Sequence, residues 1–92
     1  MSTPLDRFLL LLEIEGVKLP WLEERTGIKR KRWATVKAGS VEMRAAETEA
    51  LAKLWPEYGY WLATGEELPE AGQISPMTKR EQQTLKPTPR AG

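Results

Sequence analysis

The densest chemistry-bearing segment of the chain is Lys29-Arg30-Lys31-Arg32, followed by Thr35, Lys37, Ser40 and Arg44. Guanidinium and ammonium groups at this spacing do one kind of chemistry well. They donate hydrogen bonds to phosphate oxygens and to acceptor edges of bases. Charge counts isolate the segment: residues 28–44 hold six bases against one acid, Glu42. Residues 1–27 hold three bases against five acids, residues 45–72 one against six, and residues 73–92 four against one. The 92-residue chain as a whole carries only +1, so composition alone does not announce a nucleic-acid binder.

Other chemistries are excluded by residue type. Cysteine and histidine are both absent, which removes disulfides, thiol and His-based nucleophilic catalysis, and zinc sites built on His or Cys. The remaining carboxylates are scattered and form no nucleophile–base pair. The chain therefore reads as a non-enzyme with no cofactor and no metal. Its longest wholly apolar run, Phe8-Leu9-Leu10-Leu11-Leu12, falls far short of the roughly 20 residues of a membrane span. No secretory leader pattern is visible, so a cytoplasmic protein without membrane contact is expected.

The elements that must position the cations are helices. Thr3-Pro4 with Asp6 reads as a helix start, and Leu5, Phe8, Leu9 and Leu12 recur at helical spacing until Gly16. This predicts a first helix over 4–15. Pro20 opens a second that ends at Gly27, a third runs over 29–38 to Gly39, and a fourth spans 44–54. A fifth covers 57–64 and closes at Gly65. The expected fold class is all-α, a five-helix domain over residues 1–65. Residues 66–92 contain four of the seven prolines and few large apolar side chains, and they read as an extended or disordered tail. Within it Ser75-Pro76 could start a short helix through Gln83.

At about 100° per residue, Trp33 and Val36 fall on one side of the third helix. Arg30, Lys31, Ala34, Thr35, Lys37 and Ala38 fall on the other. Two alanines among cations let a backbone approach a surface closely, and such a face fits a major groove about 12 Å wide. Arg32 borders the apolar side and is expected to snorkel toward a phosphate. Against this stands the ordinary alternative, in which a Lys/Arg run is merely a solvated helix face.

Leu22, Gly27, Ile28, Trp33, Val36 and Gly39 resemble the helix-turn-helix of the lambda repressor/Cro-type (XRE-type) family. That pattern places a glycine five after an apolar residue, with apolar positions one, six and nine beyond it. Residues Leu51–Gly65, with Trp61-Leu62 before the glycine, are similar to the close of many phage-repressor domains. The resemblance implies a five-helix lambda-repressor-like domain that binds double-stranded operator DNA, usually as a two-fold homodimer. It implies base-reading positions at Arg30, Lys31 and Thr35, and phosphate contacts at Lys29, Lys37, Ser40 and Arg44. Two positions depart from the family. Leu19 stands where glutamine is frequent, and Glu23 stands where a small alanine is typical. Glu23 is expected to tilt outward or to pair with a nearby base such as Arg32.

The expected function is a sequence-specific phage or prophage transcriptional regulator, a Cro/repressor-like protein occupying operator DNA. With no larger ligand-binding or self-cleaving domain in the sequence, control would come from abundance, a partner protein or the tail. Trp55, Tyr58, Tyr60, Trp61 and Leu62 crowd more apolar surface than one helix buries easily, and they are expected to form the dimer interface; the alternative is that all are intramolecular core. A rival function is the same fold used as a protein-binding module, an antirepressor or an inhibitor of a host regulator. Its support is the acidic 45–72 segment and these aromatics, acting through the C-terminal helix or tail.

Overall fold

Helix boundaries follow the punctuation closely. In the computed structural model, which describes residues 2–85, Thr3 Oγ1 accepts from the Asp6 N–H and the Asp6 carboxylate accepts from the Thr3 N–H, each at 3.1 Å. This reciprocal cap satisfies two otherwise unpaired donors and starts α1, Pro4–Glu15. Pro20 sits in the first turn of α2, Leu19–Thr26. Gly27 ends α2 at φ 77°, a left-handed conformation that costs an L side chain about 1–2 kcal/mol. The turn through residues 27–29 then delivers α3, Arg30–Lys37. The remaining helices are α4, Ala45–Leu54, α5, Gly59–Thr64, and α6, Pro76–Leu85, with 3-10 turns at Pro56–Tyr58 and Pro69–Ala71. Among the described residues the one β-bridge joins Leu68 and Gln73, and no helix is long and apolar enough to cross a membrane.

Phe8, Leu11 and Leu12 of α1 meet Leu22 of α2, Trp33 and Val36 of α3, and Leu51 of α4 in one core. Phe8 stacks on Trp33 with ring centroids 5.4 Å apart. The Trp33 indole donates to Thr26 Oγ1 at 3.3 Å, the Thr26 hydroxyl donates to the Leu22 carbonyl at 2.6 Å, and Thr26 Oγ1 accepts from the Ile28 N–H at 3.1 Å. One hydroxyl thus ties the end of α2, the turn and the inner side of α3 together. Buried tryptophans usually find such a partner.

The aromatic segment corrects the expected dimer surface. Trp55, Tyr58, Trp61 and Leu62 are buried within the protomer. Trp21, Trp55, Tyr58 and Trp61 form a continuous series of ring contacts at 5.8–6.4 Å. The Tyr58 hydroxyl donates to Glu15, anchoring the segment to the end of α1. Burial, and then this bond, push the Tyr58 hydroxyl well above its ordinary pKa. Of the five residues assigned to a dimer contact, Tyr60 alone is more than slightly accessible, and it is half-buried.

Residues 66–85 correct the expected tail. The Ser75 N–H donates to Glu67 at 2.7 Å, and Ser75 Oγ accepts from the Thr78 N–H at 3.2 Å, capping α6. Gln73 accepts from the Tyr60 N–H and donates to the Pro56 carbonyl, while the Ile74 N–H donates to the Glu57 carbonyl. Lys79 pairs with Glu57 at 2.6 Å and lies 5.5 Å from the Tyr58 ring centroid. Pro76 is fully buried, and α6 packs on α1. The physical reason is that hydrogen bonds from Gln73 and Ile74 fasten the segment leading into α6, while α6 itself is held by the Lys79–Glu57 pair and by burial of Pro76. Together these need few large apolar residues. The part of the tail expectation that falls on residues 86–92 lies outside the described residues.

Tyr58→Phe is expected to leave Glu15 without its donor and lower stability by about 1 kcal/mol. Urea unfolding checks the size, and light scattering should show an unchanged oligomeric state because the ring is intramolecular.

Candidate nucleic-acid interface

Helix α3 has two unlike sides. Trp33 and Val36 are 0% and 1% exposed, so the helix is pinned to the core by its apolar side. Arg30, Lys31, Ala34, Lys37 and Ala38 are exposed on the remainder, as are Lys29 before the helix and Ser40 and Arg44 after it. Among the described residues no acid pairs with Lys29, Lys31, Lys37 or Arg44. The surface therefore carries four unneutralised cations around a helix whose small residues permit close approach. Such a surface attracts a polyanion and presents donors to it.

The sequence-assigned residues divide on inspection. Arg30 is 61% exposed, and its Nε donates to Glu23 at 2.7 Å. Glu23 therefore pairs across the turn with a nearby base, and that base is Arg30 rather than Arg32. The hydrogen bond from Arg30 holds the Glu23 carboxyl below its ordinary range. Thr35 is half-buried, and its hydroxyl lies 2.7 Å from the Lys31 carbonyl and 3.0 Å from the Arg32 carbonyl. Its single proton is thus engaged by backbone, leaving it a methyl group and acceptor lone pairs for other contacts.

Arg32 is the correction within this set. Its Nε donates to Glu47 Oε2, and its NH2 donates to Glu47 Oε1 and to the Glu42 carbonyl, each of these at 3.1 Å. A guanidinium so engaged is turned inward and is not the phosphate contact its position on the wheel suggested. Glu47 is only 3% exposed and also accepts from the Arg44 N–H at 2.6 Å. Burial pulls the Glu47 carboxyl upward, but the bonds from Arg32 and the Arg44 backbone outweigh it and hold the group below 4.5. The fork fastens α3 to the start of α4 and fixes the loop carrying Ser40 and Arg44. Glu47 was missed because its partner lies 15 residues away. Its only sequence signal is its place three after Arg44, a capping spacing.

The acidic segment is less available than its count suggests. Glu47 is paired with Arg32, Glu57 with Lys79, and Glu67 accepts from Ser75. Three of its six acids are thereby engaged within the protomer.

No protein-family model matches the sequence, and no curated protein matches it. Among solved structures, Pf6r from the filamentous phage Pf6 of Pseudomonas aeruginosa PA01 is similar at a TM-score of 0.77 and 31% identity. The likeness covers 94% of this chain and 100% of that one. The chain belongs to the same family as Pf6r. That coverage reaches past residue 65, so the family fold includes chain beyond the five helices expected from sequence.

Glu47→Ala is expected to lower stability by about 1–2 kcal/mol, because it removes the shared charged acceptor of Arg32 and the Arg44 N–H. Urea midpoints at unchanged slope measure this. The folded-state pKa of Glu47 is depressed, so its contribution is complete above pH 4.5 and is lost as pH falls through the lowered value. Glu47→Gln should flatten that part of the acid-unfolding profile.

Proposed function

We propose that the chain is a sequence-specific DNA-binding regulator of phage or prophage type, occupying an operator through α3. The observation that carries this reading is the exposed cationic side of α3, set opposite the buried Trp33 and Val36. Kinship with a phage protein over 94% of the chain supports the biological setting. On this reading α2 and α3 act as a helix-turn-helix of the lambda repressor/Cro type. The first helix of the pair lies across the phosphate backbone and the second enters the major groove.

Roles follow from what each side chain has free. Arg30 keeps its terminal amines for the O6 and N7 of a guanine, and Lys31 donates to a neighbouring base. Thr35, with its proton engaged by backbone, contributes a methyl contact or accepts from an exocyclic amine. Lys29, Lys37, Ser40 and Arg44 contact phosphates, which supply affinity and register but no sequence information. Arg32 serves from behind by holding α3 to Glu47. A two-fold dimer on the duplex belongs to the same proposal. It is built on surface other than Trp55, Tyr58, Trp61 and Leu62, which are inside the protomer.

Selection from randomised duplex DNA should return a half-site repeated about one helical turn apart. Arg30→Ala and Lys31→Ala should each cost about 1–3 kcal/mol and relax preference at one base pair. Lys37→Ala should weaken all duplexes alike and reduce the slope of log affinity against log salt by about 1. Binding that survives reversal of Arg30, Lys31 and Lys37 to Glu would remove the proposal.

A further inference from the structure

We infer that Glu23 is a specificity-determining positioning residue, which holds the Arg30 guanidinium in its base-reading orientation before any duplex is met. The inference rests on the proposed DNA-reading role of α3 and deepens it. Of the donors on the Arg30 side chain Glu23 takes the Nε proton, at 2.7 Å, and the Arg30 backbone N–H at the start of α3 also favours its carboxylate. Among the described residues no acceptor meets the two terminal amines of Arg30. The guanidinium is therefore gripped on one edge with its distal edge left open. That open edge is the one able to donate in parallel to two acceptors on a guanine.

The physical consequence is twofold. An arginine has many rotamers, and ordering them on binding opposes association; a carboxylate that orders the side chain beforehand reduces that opposition. The pair is also close to neutral, so Arg30 attracts a stray phosphate less than an unpaired arginine would. Both effects favour a correctly placed base over an arbitrary stretch of backbone. The placement is set by the turn: Glu23 lies on α2, its carbonyl accepts from the Gly27 N–H at 2.8 Å, and Arg30 is the first residue of α3. The Glu23–Arg30 pair thus bridges the two helices on the exposed side, away from the Trp33–Thr26 contact on the buried side.

The test measures affinities of the full chain for its selected duplex, for the three alternatives at each base pair, and for an unrelated duplex. Glu23→Gln should lower discrimination about tenfold at the base pair that Arg30→Ala identifies, leave the other positions unchanged, and tighten binding to the unrelated duplex. Glu23→Asp keeps the charge but shortens the reach, and should lose discrimination at the same position. In the Arg30→Ala background, Glu23→Gln should change discrimination no further. Equal loss at every position, no change at the Arg30 position, or an undiminished effect without Arg30 would overturn the inference by making Glu23 a general support of the fold. Urea unfolding of each variant separates lost structure from lost reading. A wild-type chain that prefers no duplex would fail the DNA reading itself, an outcome distinct from the other failures because no variant is needed to see it.

Discussion

The structure depends first on the burial of Trp33. Its ring stacks on Phe8 of α1 and its indole N–H reaches Thr26 at the end of α2. A tryptophan locked on two sides fixes the rotation of a short helix about its own axis. Rotation, more than position, decides which residues of α3 meet solvent. With eight residues α3 has little stability of its own, since isolated helices below about 12–15 residues are marginal in water. Its two buried side chains and the Arg32–Glu47 fork therefore supply the order that helix propensity does not.

The four consecutive cations at 29–32 are not equivalent, and helix geometry sorts them. Lys29 precedes the helix, Arg30 and Lys31 face outward, and Arg32 turns toward Glu47. A run that looks uniform in sequence thus serves two purposes, surface charge and internal fastening. Arg7 shows a different solution to burying a cation. It is 6% exposed, and its Nε donates to the Leu62 carbonyl while NH1 donates to Ser2. A guanidinium at the carbonyl end of α5 is favoured by the helix dipole, and it links the first helix to the fifth.

Local signals were legible and distant ones were not. Thr3, Pro4 and Gly16 bound α1 where periodicity places it, and Gly27 ends α2 as expected. The outward side of α3 was readable because Trp33 and Val36 leave one orientation for the cations. The role of Arg32 was not readable, since it sits at the border of the wheel and its partner lies on another helix. Glu23 stands out in the sequence, yet that its base is Arg30 depends on the angle of the turn. For α6 the misleading signal was the shortage of large apolar residues. Docking through Gln73, Ile74 and Lys79 depends on partners at 56–60 that no periodicity predicts. Covering by α6 and α1 also explains why the aromatic segment needs no second protomer to bury it.

The small overall charge gives the proposed activity its character. A chain at +1 lacks the long-range field of a strongly basic protein, so on the proposed reading attraction to duplex DNA rests on a local cluster, the cations around α3. Several of the remaining bases are committed inside the protomer, Arg7 to backbone, Arg32 to Glu47 and Lys79 to Glu57. Acids at 45–72 that remain exposed, such as Glu49, Glu66 and Glu70, repel phosphate wherever another face turns to the duplex. On the proposed reading these acids disfavour non-specific contact through the faces that carry them. When the sequence-independent contribution is small, a single well-ordered contact to a base has more influence on where the protein resides. That makes the geometry between α2 and α3, more than the number of basic residues, the feature on which selective occupancy would rest.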